Sequence, residues 1–90
     1  MELIVIKISG SVQGVNFRYY AWRTANDLEI KGFVRNELDG TVYCEAQGEK
    51  KNLEQFLAWC RTGPPLSKVT NVKFSYEPME NKYDDFNIKY

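Results

Sequence analysis

Residues 3–28 read LIVIKISGSVQGVNFRYYAWRTANDL, and a change of period within them decides the fold. The first seven, 3–9, are mostly β-branched and apolar, the composition of a central strand. Alternation turns Ile4, Ile6 and Ile8 to one face and Leu3, Val5 and Lys7 to the other. Gly10 is expected to end this strand, and Gly14 to fall inside the turn that follows. From Phe17 the period becomes helical, with Phe17, Ala21, Thr24, Ala25 and Leu28 forming one apolar stripe.

The rest of the chain extends this pattern. Residues 31–37 read as a second strand, Asp39-Gly40 as a hairpin turn and residues 41–47 as a third strand. In the third strand Val42, Cys44 and Ala46 share a face opposite Tyr43, Glu45 and Gln47. A second helix places Leu53, Phe56, Leu57 and Cys60 on one side and stops at Gly63-Pro64-Pro65. Residues 69–76 form a fourth strand with Val72, Phe74 and Tyr76 alternating, and residues 78–85 are expected as a mobile polar loop. Phe86, Ile88 and Tyr90 alternate in a short last strand. The order is β-α-β-β-α-β plus that terminal strand. It predicts an α+β, ferredoxin-like sandwich over residues 1–90, with two helices on one face of a mostly antiparallel sheet.

Composition narrows the function classes. Twelve basic residues balance twelve acidic ones, so the chain lacks the broad positive field on which most nucleic-acid binding depends. There is no histidine and no CxxC, which argues against a zinc site; Cys44 and Cys60 lie in apolar patterns and read as buried free thiols. No stretch approaches the roughly 20 apolar residues of a membrane span. The opening MELIVIKISG is too short for a signal peptide and carries Glu2 and Lys7. The expectation is a cytoplasmic monomer with no nucleic-acid or membrane partner.

The turn between the first strand and the first helix carries the chemistry. Gly10 and Gly14 permit backbone angles that let successive N–H groups converge, and the turn opens into a helix start that favours an anion. Arg18, in the first helical turn, adds a fixed charge with forked donors. By spacing alone, two glycines serve a simple chain reversal equally well.

Read beside the rest, GSVQGVNFR at residues 10–18 resembles the acylphosphatase signature GxVQGVxFR. GFVRNELDGTV at residues 32–42 resembles that family's second segment, with Phe33 in place of a Trp. The helix-end pattern FLxWxxxGPP at 56–65 and the terminal FxIxY at 86–90 also match, so the resemblance spans the chain. It implies a small-molecule acyl phosphate as substrate and the same ferredoxin-like fold. It also implies catalytic roles for Arg18 and Asn36. The phosphate loop falls on Ser11, Val12, Gln13, Gly14, Val15, Asn16, Phe17 and Arg18, with inorganic phosphate or a similar anion bound at the amides of residues 13–18. Neither metal nor cofactor is expected. Glu29 departs from the family, standing where a glycine usually follows the first helix.

Several alternatives are excluded by residue type. Without histidine there is no phosphohistidine and no imidazole base. A cysteine phosphatase needs Arg six positions after its nucleophile, where Cys44 and Cys60 find Lys50 and Leu66. No GxxxxGK[ST] occurs, and Asp84-Asp85 reads as a solvated pair. Tyr19, Tyr20 and Trp22 read as packing and surface residues, Trp59 as partial core, and Arg35 as pointing away from Asn36. The competing functions are an RNA-binding module, with Tyr43 as its candidate ring, and a domain that senses phosphate or carbamoyl phosphate without turnover.

Overall fold

In the computed structural model, which describes residues 1–90, the isoleucine row of the first strand becomes the centre of a sheet. The elements are β1 (Glu2–Ser11), α1 (Phe17–Asp27), β2 (Lys31–Asn36), β3 (Val42–Gly48), α2 (Lys50–Thr62), β4 (Lys68–Glu77) and β5 (Phe86–Lys89). The strands order as β4-β1-β3-β2-β5. Neighbours are antiparallel except β2 and β5, which run parallel. This is the mostly antiparallel sheet with two helices that the sequence predicts.

Cross-strand register explains the core. Ile4, Ile6 and Ile8 lie opposite Ala46, Cys44 and Val42, and all six are buried on the helix-covered face. Val34 and Ile88 extend the row across β2 and β5. Onto it α1 lays Phe17, Ala21 and Ala25, one residue per turn. The second helix, α2, lays down Leu53, Phe56, Leu57 and Cys60. Truncating a ring as buried as Phe56 to Ala would cost about 3–5 kcal/mol. Both thiols are free, and burial pushes each well above the ordinary cysteine range, so neither is a ready nucleophile.

Two expectations change. Gly10 does not end β1: the strand continues to Ser11 through a register shift against β4. Gly10 has φ +128, and a Cβ there would collide with the Lys68 carbonyl. The glycine thus admits a bulge rather than a stop. The alternation of Val72, Phe74 and Tyr76 holds, yet Phe74 and Tyr76 remain 45% and 37% exposed. Their neighbours Ile6 and Ile4 are fully buried; β4 is an edge strand, where Arg61 and Lys50 of α2 lie over the rings of Phe74 and Tyr76.

The loop at 78–85 is tied down. Buried Gln47 donates to the carbonyl of Asn81 and accepts the Tyr83 amide at 2.9 Å. The Tyr83 hydroxyl donates to Glu45 at 2.9 Å, and its ring meets Phe33 edge-on at 5.8 Å. The loop therefore roofs part of the face opposite the helices. Neither helix is long and apolar enough to cross a membrane.

Glu29 occupies the left-handed region (φ +57) just after α1, where its side chain is exposed. A residue with a Cβ pays about 1–2 kcal/mol there, against about 0.5–1 kcal/mol of extra chain entropy for glycine. Glu29→Gly is accordingly expected to raise stability by about 0.5–1 kcal/mol, read as a higher urea midpoint at unchanged slope.

Candidate active site

The loop between β1 and α1 is shaped by two left-handed residues, Gly14 (φ +75) and Asn16 (φ +63). A Cβ at position 14 would meet open space, so the backbone angle alone favours glycine there. Asn16 tolerates the left-handed region better than most residues do. It caps α1 through its backbone only, without a side-chain hydrogen bond to the first turn. That is unusual, because an N-cap side chain normally satisfies one of the orphan N–H groups. The first helical bond runs from the Tyr20 amide to the Asn16 carbonyl at 3.1 Å. The amides of residues 13–19 consequently have no acceptor within the protein. No acidic residue occupies the first turn. A run of unpaired N–H groups at the positive end of a helix is an anion site in physical terms.

Arg18 stands in that first turn and lines a cleft of about 280 Å³. Its Nη1 donates to the carbonyl of Lys89 at 3.0 Å, and its guanidinium lies 4.6 Å over the Tyr90 ring. The parallel pairing of β5 with β2 delivers both partners, since it brings the end of β5 to the start of α1. The ion pairs of the protein, Lys7–Asp39 and Arg35–Glu37, do not involve Arg18. Its charge is uncompensated, and most of its five donors are free.

Asn36 reaches the same cleft from β2. It lies opposite Val42 and two residues beyond Val34, which puts it on the helix-covered face. Its amide makes no hydrogen bond within the protein, while Val34 beneath it is fully buried. Arg35 points the other way, as expected, bonded to Glu37 at 3.1 Å and stacked 4.6 Å over Tyr43.

Of the loop residues, Val12, Gly14, Asn16, Phe17 and Arg18 line the cleft. Ser11, Gln13 and Val15 do not: Ser11 closes β1 opposite Lys68, Val15 packs on the core, and the Gln13 side chain bonds to the β2–β3 turn. Three wall residues went unassigned from sequence, namely Tyr19, Ile88 and Tyr90. The alternation of Phe86, Ile88 and Tyr90 put them on one face. It carried no sign that β5 pairs with β2, and that pairing is what brings the face to the cleft.

A family model for acylphosphatase matches residues 4–88. The chain belongs to the acylphosphatase family. It is 44% identical to an acylphosphatase of Archaeoglobus fulgidus over 90 residues, with both chains covered in full. An acylphosphatase of Thermotoga maritima is 43% identical over all of this chain and 99% of its own length. The fold superposes on the crystal structure of acylphosphatase from Bacillus subtilis with a TM-score of 0.96, at 33% identity and full coverage of both. Family and fold together support an enzyme with acylphosphatase activity.

The turn after Asn36 is held by Asp39, which accepts from the Thr41 hydroxyl at 2.6 Å and the Thr41 amide at 3.1 Å. These bonds, with Lys7 beside them, lower the Asp39 carboxyl from 3.8 to about 2. Its contribution to stability is present above pH 3.8 and is lost as pH falls through about 2. In an acid titration of melting temperature, Asp39→Asn should therefore flatten the decline between those values.

Proposed function

We propose that this protein hydrolyses small acyl phosphates to a carboxylate and inorganic phosphate, by in-line attack of water and without a metal or a covalent intermediate. One observation carries the reading: unpaired amides of the 13–19 run, those of Gly14 and residues 16–19, meet the uncompensated Arg18 and the free Asn36 amide at a single cleft. The amides and Arg18 hold the phosphoryl oxygens. Asn36 orients the water whose oxygen bonds to phosphorus as the bond from phosphorus to the acyl oxygen breaks. The electron pair leaves with the carboxylate, and the water proton passes to a phosphate oxygen.

An amide is no base at neutral pH, and none is demanded. The leaving carboxylate has a conjugate acid of pKa about 4, so it departs without a proton. What remains is positioning and charge stabilisation, the two things this cleft offers. Its wall carries no side-chain carboxylate, thiol or imidazole to ligate a metal. The proposed enzyme works as a cytoplasmic monomer on a small-molecule substrate. On the opposite face, Arg35 already covers the ring of Tyr43, whose hydroxyl donates to Glu45 at 2.7 Å. That ring is poorly placed to stack a base.

Hydrolysis of benzoyl phosphate is expected to proceed without added metal and to survive a chelator. Arg18→Ala should lower kcat by at least about 10²-fold, the scale of losing a transition-state donor. Arg18→Lys should also be poor, because an ammonium lacks the planar fork. Asn36→Ala should lower turnover while inorganic phosphate still competes. Full activity in Arg18→Ala would overturn the assignment.

A further inference from the structure

Gln13 sits in the middle of the anion loop, but its side chain is absent from the cleft wall. Its Nε2 donates to the carbonyls of Glu37 at 2.8 Å and Thr41 at 2.9 Å. Both partners are acceptors, which settles the amide orientation: the nitrogen, not the oxygen, faces them. These two carbonyls bracket the β2–β3 turn. Glu37 directly follows Asn36, and Thr41 directly precedes Val42, the cross-strand neighbour of Asn36. The turn uses the same carbonyls internally, with the Glu37 amide donating to Thr41 at 2.8 Å and the Gly40 amide to Glu37 at 3.2 Å. Each carbonyl thus accepts twice, which its two lone pairs allow.

The backbone ladder from β1 reaches Asn36 through Val42, but it does not reach the turn beyond Asn36 or the loop itself. The pairing of β1 with β3 stops at Ile8 opposite Val42, and from Ser9 to Ser11 β1 is paired only with β4 on its other side. Past that point the loop and the hairpin part company as strands. The Lys7–Asp39 ion pair also ties β1 to the hairpin, but its side chains are 47% and 55% exposed, and such pairs hold geometry weakly. The two Gln13 bonds are partly buried and span 24 and 28 residues of chain.

We infer that Gln13 is a positioning residue, which fixes the Asn36 amide relative to the loop amides and so contributes to turnover rather than to phosphate binding. The inference rests on the functional reading above, in which the loop holds the phosphoryl group and Asn36 holds the water. An error of about 1 Å between such groups costs up to about 10²-fold in rate. Arg18 keeps its Lys89 and Tyr90 partners, and Val12, Val15 and Phe17 keep their packing on the core, when Gln13 changes, so anion affinity is separable from turnover.

Two variants test it, with kcat measured on benzoyl phosphate and affinity as the Ki of inorganic phosphate. Gln13→Met keeps the length and removes the donors. It is expected to lower kcat at least about 5-fold while Ki stays within about 3-fold of wild type. A smaller loss of kcat, or a larger change in Ki, overturns the inference. Gln13→Glu faces the two carbonyls with a carboxylate, and on protonation regains one O–H donor. Its kcat relative to wild type should climb as pH falls from 7 to 5; a flat or falling ratio overturns the inference. The second variant is its own control, since one folded protein is compared across pH. Wild-type hydrolysis that depends on Arg18, combined with a failed Gln13 pattern, would remove this inference alone. Absence of wild-type hydrolysis would remove the functional reading itself.

Discussion

The cleft depends on how the middle strand ends. As far as Ile8, β1 is paired on both sides and anchored from beneath by three fully buried isoleucines. From Ser9 it keeps only β4, and beyond Ser11 it has no strand partner. The chain must then cross the end of the sheet to enter α1, and seven successive amides, residues 13–19, are left without acceptors. In a buried position those amides would be a severe liability. At the mouth of a cleft, where Gly14 and residues 16–19 stand, they become donors available to a ligand. Rigidity behind the loop and vacancy at its tip share one cause.

Charge is distributed with the same economy. The chain is neutral overall, so attraction for an anion has to be local. Arg35 and Arg18 show the contrast. Arg35 is neutralised by Glu37 and packed over Tyr43 and Phe33, a structural cation on the outer face. Arg18 meets only a carbonyl and a ring, partners that orient a guanidinium without cancelling its charge. A carboxylate in the place of the Lys89 carbonyl would hold Arg18 as firmly and disable it as an anion ligand.

Much of this was legible in the sequence. Period marked both helices and every strand, because Ile4, Ile6 and Ile8, or Leu53, Phe56, Leu57 and Cys60, bury a single face. The signature resemblance placed Arg18 and Asn36, and alternation alone separated Asn36 from Arg35. What period could not carry was the arrangement of distant partners. Phe74 and Tyr76 alternate as read, but alternation does not say that their strand lies at an edge and leaves them exposed. Gln47 looked like an outward polar residue until the 78–85 loop folded over it. Gly10 looked like a stop because a bulge and a stop ask for the same residue. Gln13 belonged to the loop by motif, while its hydrogen bonds reach residues more than 20 positions away. Each miss depends on contacts far apart in the chain, and local pattern contains no distance.

In the proposed site the loop amides hold the phosphoryl group beside Arg18 and Asn36. Titration of the isotopically labelled protein with inorganic phosphate, followed by amide NMR, tests it most directly. Saturable shifts are expected, concentrated in the backbone amides of residues 13–19, the Arg18 guanidinium and the Asn36 side chain. Saturable shifts centred elsewhere, with residues 13–19 unmoved, would contradict it.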